Sequence, residues 1–167
     1  MKPIETAYKG YRFRSRLEAR WAICLDALGW SWEYELEGFD LGGGDLYLPD
    51  FALLGGECHQ AVQCWIEVKP TEPNADELRK ARKLALQSHV PVLFAIGSPD
   101  PLSLEGLGGY SEDGEFYLNG LASITRECWV KWRRPGWLMG GESRCEVVDE
   151  AACARARSAR FERGARA

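Results

Sequence analysis

The sequence predicts an α/β protein with a mixed central sheet, and three patterns point there. Leu17, Trp21, Cys24, Leu25 and Leu28 recur at three- and four-residue steps across 15–28, the stripe of an amphipathic helix. Trp30, Trp32, Tyr34 and Leu36 alternate with Ser31, Glu33 and Glu35, the period of a half-buried strand. Pro91-Val92-Leu93-Phe94-Ala95-Ile96 is an almost continuous apolar run, which predicts a central strand buried on both faces.

Along the chain, Ser15 opens the first helix and Gly29 follows it as a stop. After the strand at 30–36, Gly42-Gly43-Gly44 marks a turn and 45–53 reads as a second strand. Gly55-Gly56 turns again, and 61–69 is a third strand ended by Pro70. Asn74 or Asp76 opens a second helix to about Ser88, with Leu78, Ala81, Leu84 and Ala85 on one face. The apolar run then completes a βαβ unit from 61 to 96, for which a right-handed crossover is expected. Residues 98–114, rich in Pro, Gly, Ser and acids, read as a long connection. Glu115–Leu118 and Trp129–Trp132 are candidates for an added hairpin, and 149–163 reads as an arginine-bearing helix. The expected organisation is a core over 1–97 in the order αβββαβ and an extension over 98–167 packed on the same domain.

In Trp65-Ile66-Glu67-Val68-Lys69, strand periodicity places Ile66 and Val68 on one face and Glu67 and Lys69 on the other. A carboxylate and an ammonium in a mostly apolar strand are costly unless they face a polar cleft. Asp50, after the strand-like Leu46-Tyr47-Leu48-Pro49, is a second carboxylate that can converge on that cleft. Two acids and a lysine at strand ends suit metal-assisted phosphodiester hydrolysis. The acids hold a hard cation through oxygen, and the lysine supports the attacking water or the developing charge.

Pro49-Asp50 followed by Glu67-Val68-Lys69 resembles the PD-(D/E)XK nuclease superfamily, the restriction-endonuclease-like fold. Upstream, Phe13-Arg14-Ser15-Arg16-Leu17-Glu18-Ala19-Arg20-Trp21-Ala22 is similar to the first helix of its small phage and prophage members, with Trp32-Glu33-Tyr34-Glu35 and Leu48-Pro49-Asp50-Phe51 in matching order. The tail Ala156–Glu162 also resembles that group, without an assignable role, and the resemblance is strong over roughly the first 97 residues. It implies a mixed sheet flanked by helices, and a Mg²⁺-dependent deoxyribonuclease, endonuclease favoured, in which Mn²⁺ substitutes. The implied ligands are the carboxylates of Asp50 and Glu67 and the carbonyl of Val68, with Glu18 joining them and Lys69 serving the hydrolytic water. Implied partners are DNA and either a second copy of the chain or a larger phage or host DNA-processing complex, in the cytoplasm of a bacterial host.

Glu18 carries a competing role: Ser15-Arg16-Leu17-Glu18 is a capping box in which Glu18 reaches back to the Ser15 amide. Lys80 and Lys83, on the helix after the catalytic strand, are candidate phosphate contacts or simply a solvated face. The net charge of −4 hides two basic ends. Residues 1–20 and 151–167 each carry +4, leaving −12 between them. Arg155, Arg157 and Arg160 therefore belong to a candidate phosphate footprint, because polyanion contact depends on the local field.

At 167 residues and 46% hydrophobic, the chain suffices for one sizeable core. No stretch approaches the ~20 apolar residues that span a bilayer, and Met1–Glu5 lacks a signal-like apolar segment, so a soluble intracellular protein is expected. The six cysteines are expected as reduced thiols. A zinc site from Cys58, His59, Cys64 and Cys128 is disfavoured because paired C-x-x-C knuckles are missing. Trp129, Trp132 and Trp137, interleaved with Lys131, Arg133 and Arg134, suit either base stacking or a hairpin core. No Ser or Cys lies in a recognisable order with a histidine and an acid, which argues against nucleophilic catalysis. Two rivals stand beside the deoxyribonuclease. One is a catalytically silent nucleic-acid-binding or assembly protein that keeps the fold; the other is cleavage of RNA.

Overall fold

The computed structural model describes residues 5–55, 61–100, 103–107, 109–110, 116–117, 122–123 and 150–161. Thr6–Tyr8 (β1) and Tyr11–Phe13 (β2) form an antiparallel hairpin. Its turn is Lys9-Gly10, both with positive φ, the backbone that a two-residue hairpin loop requires. The hairpin lies outside the expected elements, although Lys9-Gly10 between two short aromatic-bearing runs is its signal.

Helix α1 spans Arg16–Ala27 and is followed by Ser31–Tyr34 (β3). The strand expected at 45–53 is two elements. Leu46–Tyr47 (β5) pairs with Phe39–Asp40 (β4) in a separate ribbon, and Phe51–Gly55 (β6) enters the main sheet. Pro49 has no N–H to give a ladder, and it separates the two. Ala61–Lys69 (β7), Ala75–Ser88 (α2) and Val92–Ile96 (β8) follow as expected.

Among the described residues the central sheet has six strands. From one edge it runs β3, β6, β7 and β8, then Leu104–Leu107 (β9) and Ala122–Ser123 (β12). Among the described residues only β7 and β8 pair in parallel, across the α2 crossover, so the sheet is mixed. β9 lies inside the segment expected as a connection. Its two leucines, with Glu105-Gly106 between them, carry too little pattern to read as a strand, yet Leu104 and Leu107 are fully buried. Gly109–Tyr110 (β10) and Phe116–Tyr117 (β11) form a small ribbon, the latter within the strand expected at 115–118. The other half of that hairpin, Trp129–Trp132, lies outside the described residues.

The two sheet faces bury different helices. On one, Ile66, Val68, Leu93 and Ala95 pack beneath α1 and the helix Glu150–Ser158 (α3). On the other, Trp65, Val92 and Phe94 pack beneath Ala81, Leu84 and Ala85 of α2. Alternation along β7 and β8 sends neighbouring side chains to opposite cores. Edge strand β3 is covered by the β1–β2 hairpin through an aromatic cluster, in which Phe13 lies 4.6 Å from Tyr34 and Trp32 5.4 Å from Phe51. Among the described residues no helix is long and apolar enough to cross a membrane.

Candidate active site

The parity that buries Ile66 and Val68 beneath α1 puts Glu67 and Lys69 on the α2 face, beside Trp65. There Lys69 Nζ lies 2.9 Å from Glu67 Oε1 and 2.9 Å from Glu77 Oε1. Glu77 is fixed by helix α2 itself. Asn74 caps the helix and accepts from the Glu77 amide, while Glu77 Oε2 accepts from the Asn74 amide at 2.8 Å. One oxygen of Glu77 therefore closes a capping box, and the other steadies the lysine.

Asp50 sits just before β6 and is 5% exposed. Its Oδ2 accepts from the Val68 amide at 2.7 Å, and its Oδ1 from Arg14 Nη2 at 2.8 Å. The Val68 amide thus ties Asp50 to the middle of the Glu67-Val68-Lys69 run. Burial raises the Asp50 pKa to about 8, reinforced by the charge of Glu67 and only partly offset by the Val68 N–H and Arg14. Burial also raises Glu67, against the pull of Lys69 and Tyr47. Burial lowers Lys69, but Glu67 and then Glu77 hold it above its ordinary value. The centre is a buried pair of carboxylates short of positive charge.

The two carboxylates and the chemistry of their surroundings fit a hard divalent cation. Glu67 Oε2 and the Tyr47 hydroxyl are buried next to each other, and Tyr47 is the hydroxyl whose hydrogen bonding pulls the Glu67 pKa down, at a geometry too poor to satisfy either atom fully. A carboxylate oxygen met only by a poorly placed hydroxyl, beside a second buried acid, is a donor set that a cation would satisfy. A complete ligand shell is not assembled: among the described residues no three acidic, histidine or cysteine side chains converge on one ion.

Glu18 is buried and fully engaged. Its Oε1 accepts from Ser15 Oγ at 2.6 Å, and its Oε2 accepts from the Tyr34 hydroxyl at 2.6 Å and from the Arg14 amide at 3.1 Å. The cap differs from the expected box by one residue: the carboxylate reaches the amide of Arg14 rather than that of Ser15. Ser15 Oγ in turn accepts from the Glu18 amide at 3.2 Å. In this arrangement Glu18 closes the helix start and anchors Tyr34, whose pKa rises through burial and then through Glu18.

Of the expected phosphate contacts, Lys83 Nζ lies 2.7 Å from Asp45 and Lys80 Nζ 3.3 Å from Asp76. Arg157 bonds Glu150 and the Pro99 carbonyl, and Arg155 and Arg160 are exposed. Because α3 packs on α1, the helix that carries Arg16 and Arg20 and the helix that carries Arg155 and Arg157 lie on one side of the sheet. Cys58, His59, Cys128, Trp129, Trp132 and Trp137 lie outside the described residues. Cys64 is a buried thiol raised by its burial, and Cys24 and Cys153 are hydrogen-bonded neighbours in the core.

Four residues at the centre had no assigned role from sequence: Arg14, Tyr34, Tyr47 and Glu77. Glu77 was findable as the third residue after an Asn cap. Tyr34 follows the alternation of β3, but its hydroxyl contact with Glu18 joins elements sixteen residues apart. No protein-family model matches the chain, and no curated protein matches it.

Proposed function

We propose that this protein is a Mg²⁺-dependent deoxyribonuclease of the PD-(D/E)XK kind, its sheet and helices forming the restriction-endonuclease-like arrangement. The observation that carries this reading is the buried pair Asp50 and Glu67, with Lys69 held against the same glutamate and Glu67 Oε2 met only by the poorly placed Tyr47 hydroxyl. Asp50, Glu67 and the Val68 carbonyl would hold Mg²⁺ or Mn²⁺, which supplies Lewis acidity and lowers the pKa of bound water.

The chain's own residues do the rest. Lys69, kept above its ordinary pKa by Glu67 and Glu77, is charged at neutral pH. It therefore donates: it orients the attacking water and offsets charge at phosphorus, rather than taking a proton. The water oxygen bonds to phosphorus as one ester P–O bond breaks, and the leaving oxygen takes up the proton that the water gives up. The Glu77 cap holds the ammonium in place while this occurs. Exposed Arg155 and Arg160 supply phosphate contacts away from the reacting atoms.

The silent binding protein keeps one observation in its favour. Lys69 lies between two carboxylates and Arg14 pairs with Asp50, so the polar centre is partly self-satisfied as a set of ion pairs. Purified protein incubated with plasmid, linear duplex, single-stranded DNA and RNA, each in Mg²⁺, Mn²⁺ or EDTA, separates the readings. Nicking or shortening of DNA that EDTA abolishes is the expected result. Intact substrates under every condition would sink the nuclease reading, and cutting of RNA alone would replace the substrate.

A further inference from the structure

Both oxygens of Asp50 are taken, but by partners of very different freedom. Val68 gives its N–H from the backbone of β7, held against Ala95 of β8 and just past the point where the β6 ladder ends at Phe51 and Ile66. Arg14 gives a guanidinium from a long side chain that is 57% exposed. For Asp50 to hold a cation on Oδ1, Arg14 is the partner able to yield. A guanidinium and a divalent ion on one oxygen would repel each other at close range.

Arg14 is also held from the far side. Its Nε lies 2.8 Å from Glu35 Oε1. Glu35 has φ 48°, an uncommon backbone for a residue with a Cβ, and its N–H donates to the Asp50 carbonyl at 2.9 Å. The backbone bond that ties Glu35 to Asp50 thereby places a carboxylate against the arginine. One guanidinium spans a buried acid that lacks positive charge and a more exposed acid at the mouth of the site. Released from Asp50, it would remain tethered by Glu35, with donors of its planar fork turned free. That fork matches a phosphate better than an ammonium does.

Building on the nuclease reading, we propose that Arg14 exchanges partners when the site loads. It is the counter-ion of Asp50 in the ion-free protein, and it binds a phosphate oxygen of the DNA strand once a divalent cation takes that carboxylate. Arg14 therefore competes with the ion and cooperates with the polyanion.

The test reads ion binding and DNA binding separately. Mn²⁺ alone is titrated calorimetrically into the parent, Arg14→Met and Arg14→Lys proteins. Affinity for a short duplex is then measured across a salt series with Mn²⁺ present, in a Lys69→Ala background that slows cutting. Arg14→Met is expected to bind Mn²⁺ about five- to tenfold more tightly, the reciprocal of a modest coupling between two ligands of one carboxylate. The same variant should bind duplex more weakly, with its salt slope reduced by about one. Arg14→Lys, which keeps the charge but not the fork, should recover the slope and only part of the affinity. If the parent binds Mn²⁺ and cuts DNA while Arg14→Met matches it in both titrations, the exchange is wrong and the nuclease reading stands. A parent that neither binds Mn²⁺ nor cuts DNA overturns both. Circular dichroism of each variant confirms folding, which this half-exposed position should preserve.

Discussion

Asp45 and Asp50 lie five positions apart, and the fold gives them opposite surroundings. Asp45 accepts from Arg79 and Lys83 of α2, and those hydrogen bonds hold its carboxyl below the usual carboxylate range. Asp50 is buried beside Glu67, with the half-exposed Arg14 as its only cation among the described residues, and is pushed the other way. Asp45 is a finished ion pair that ties the Gly42–Asp45 turn to a helix. Asp50 is unfinished: its carboxylate lacks enough positive charge nearby, so it gains from binding more. Chemistry follows the second kind of aspartate, since a satisfied carboxylate has no reason to take up a cation.

The largest expected effect breaks the unfinished side directly. Asp50→Asn removes a negative charge from the pair and should abolish both Mg²⁺ uptake and DNA cleavage. Lys69→Ala should leave Mg²⁺ binding nearly intact and slow cleavage by about 10²–10⁴-fold, the usual loss for a positioned acid–base or electrostatic group. Calorimetry for the ion and a gel assay for cleavage separate the two. Full activity in both variants would place the chemistry elsewhere or in a contaminant.

Much of this contrast was legible in the sequence, and the missing part has a physical cause. The alternation in Trp65–Lys69 placed Glu67 and Lys69 on one face, as the two cores on either side of β7 now show. The helices at 16–27 and 75–88 followed from apolar spacing and caps, which are local signals. Long-range contacts were out of reach. Arg14 meets Asp50 across thirty-six residues, and Tyr34 meets Glu18 across sixteen; no local period encodes either. The strand at 104–107 was missed because glycine interrupts its alternation, so its burial depends on β8 rather than on its own pattern. Likewise, the break at Pro49 was visible, but the pairing of β5 with β4 was not.

A somewhat smaller effect concerns pH. The Asp50–Glu67 pair binds a proton more tightly folded than unfolded, so the folded pair shares one extra proton between about pH 4, the ordinary aspartate value, and about 8. Stability from this pair is fully present below pH 4 and is lost as pH rises toward 8. In EDTA, the melting temperature should therefore fall from pH 5 to pH 8 by more in the parent than in Asp50→Asn. Saturating Mg²⁺ should recover stability chiefly at the high end, where the ionised pair binds it. Parallel profiles for the two proteins would show that Asp50 is not strained by its burial.

Glu18 tests whether a third acid belongs to the unfinished set. Its two oxygens take Ser15 Oγ, the Tyr34 hydroxyl and the Arg14 amide. In Glu18→Gln the amide nitrogen replaces one acceptor with a donor and faces at least one of those donors. A stability loss of about 1–2 kcal/mol in urea unfolding is expected, the ordinary cost of a weakened cap and an unsatisfied buried donor. Mg²⁺ affinity should stay near that of the parent. A large loss of Mg²⁺ affinity at unchanged stability would instead move Glu18 into the ion site.

The smallest effect belongs to Asp45, and its smallness is the point. Asp45→Asn keeps the backbone bonds of the Gly42–Asp45 turn and removes only pairs at the surface, where water and salt already screen them. The melting temperature should move little, and added salt should narrow what difference there is. The sign with pH also opposes that of Asp50. A carboxylate depressed on folding contributes above its unfolded value and loses that contribution as pH falls through the lower folded value. Acidification should therefore bring Asp45→Asn and the parent together, while the same titration stabilises the Asp50 end of the site. DNA cleavage should be unaffected, because Asp45 pairs with Arg79 and Lys83 rather than with Asp50, Glu67 or Lys69. If Asp45→Asn lost Mg²⁺ binding as Asp50→Asn does, the distinction between finished and unfinished carboxylates would fail at its simplest case.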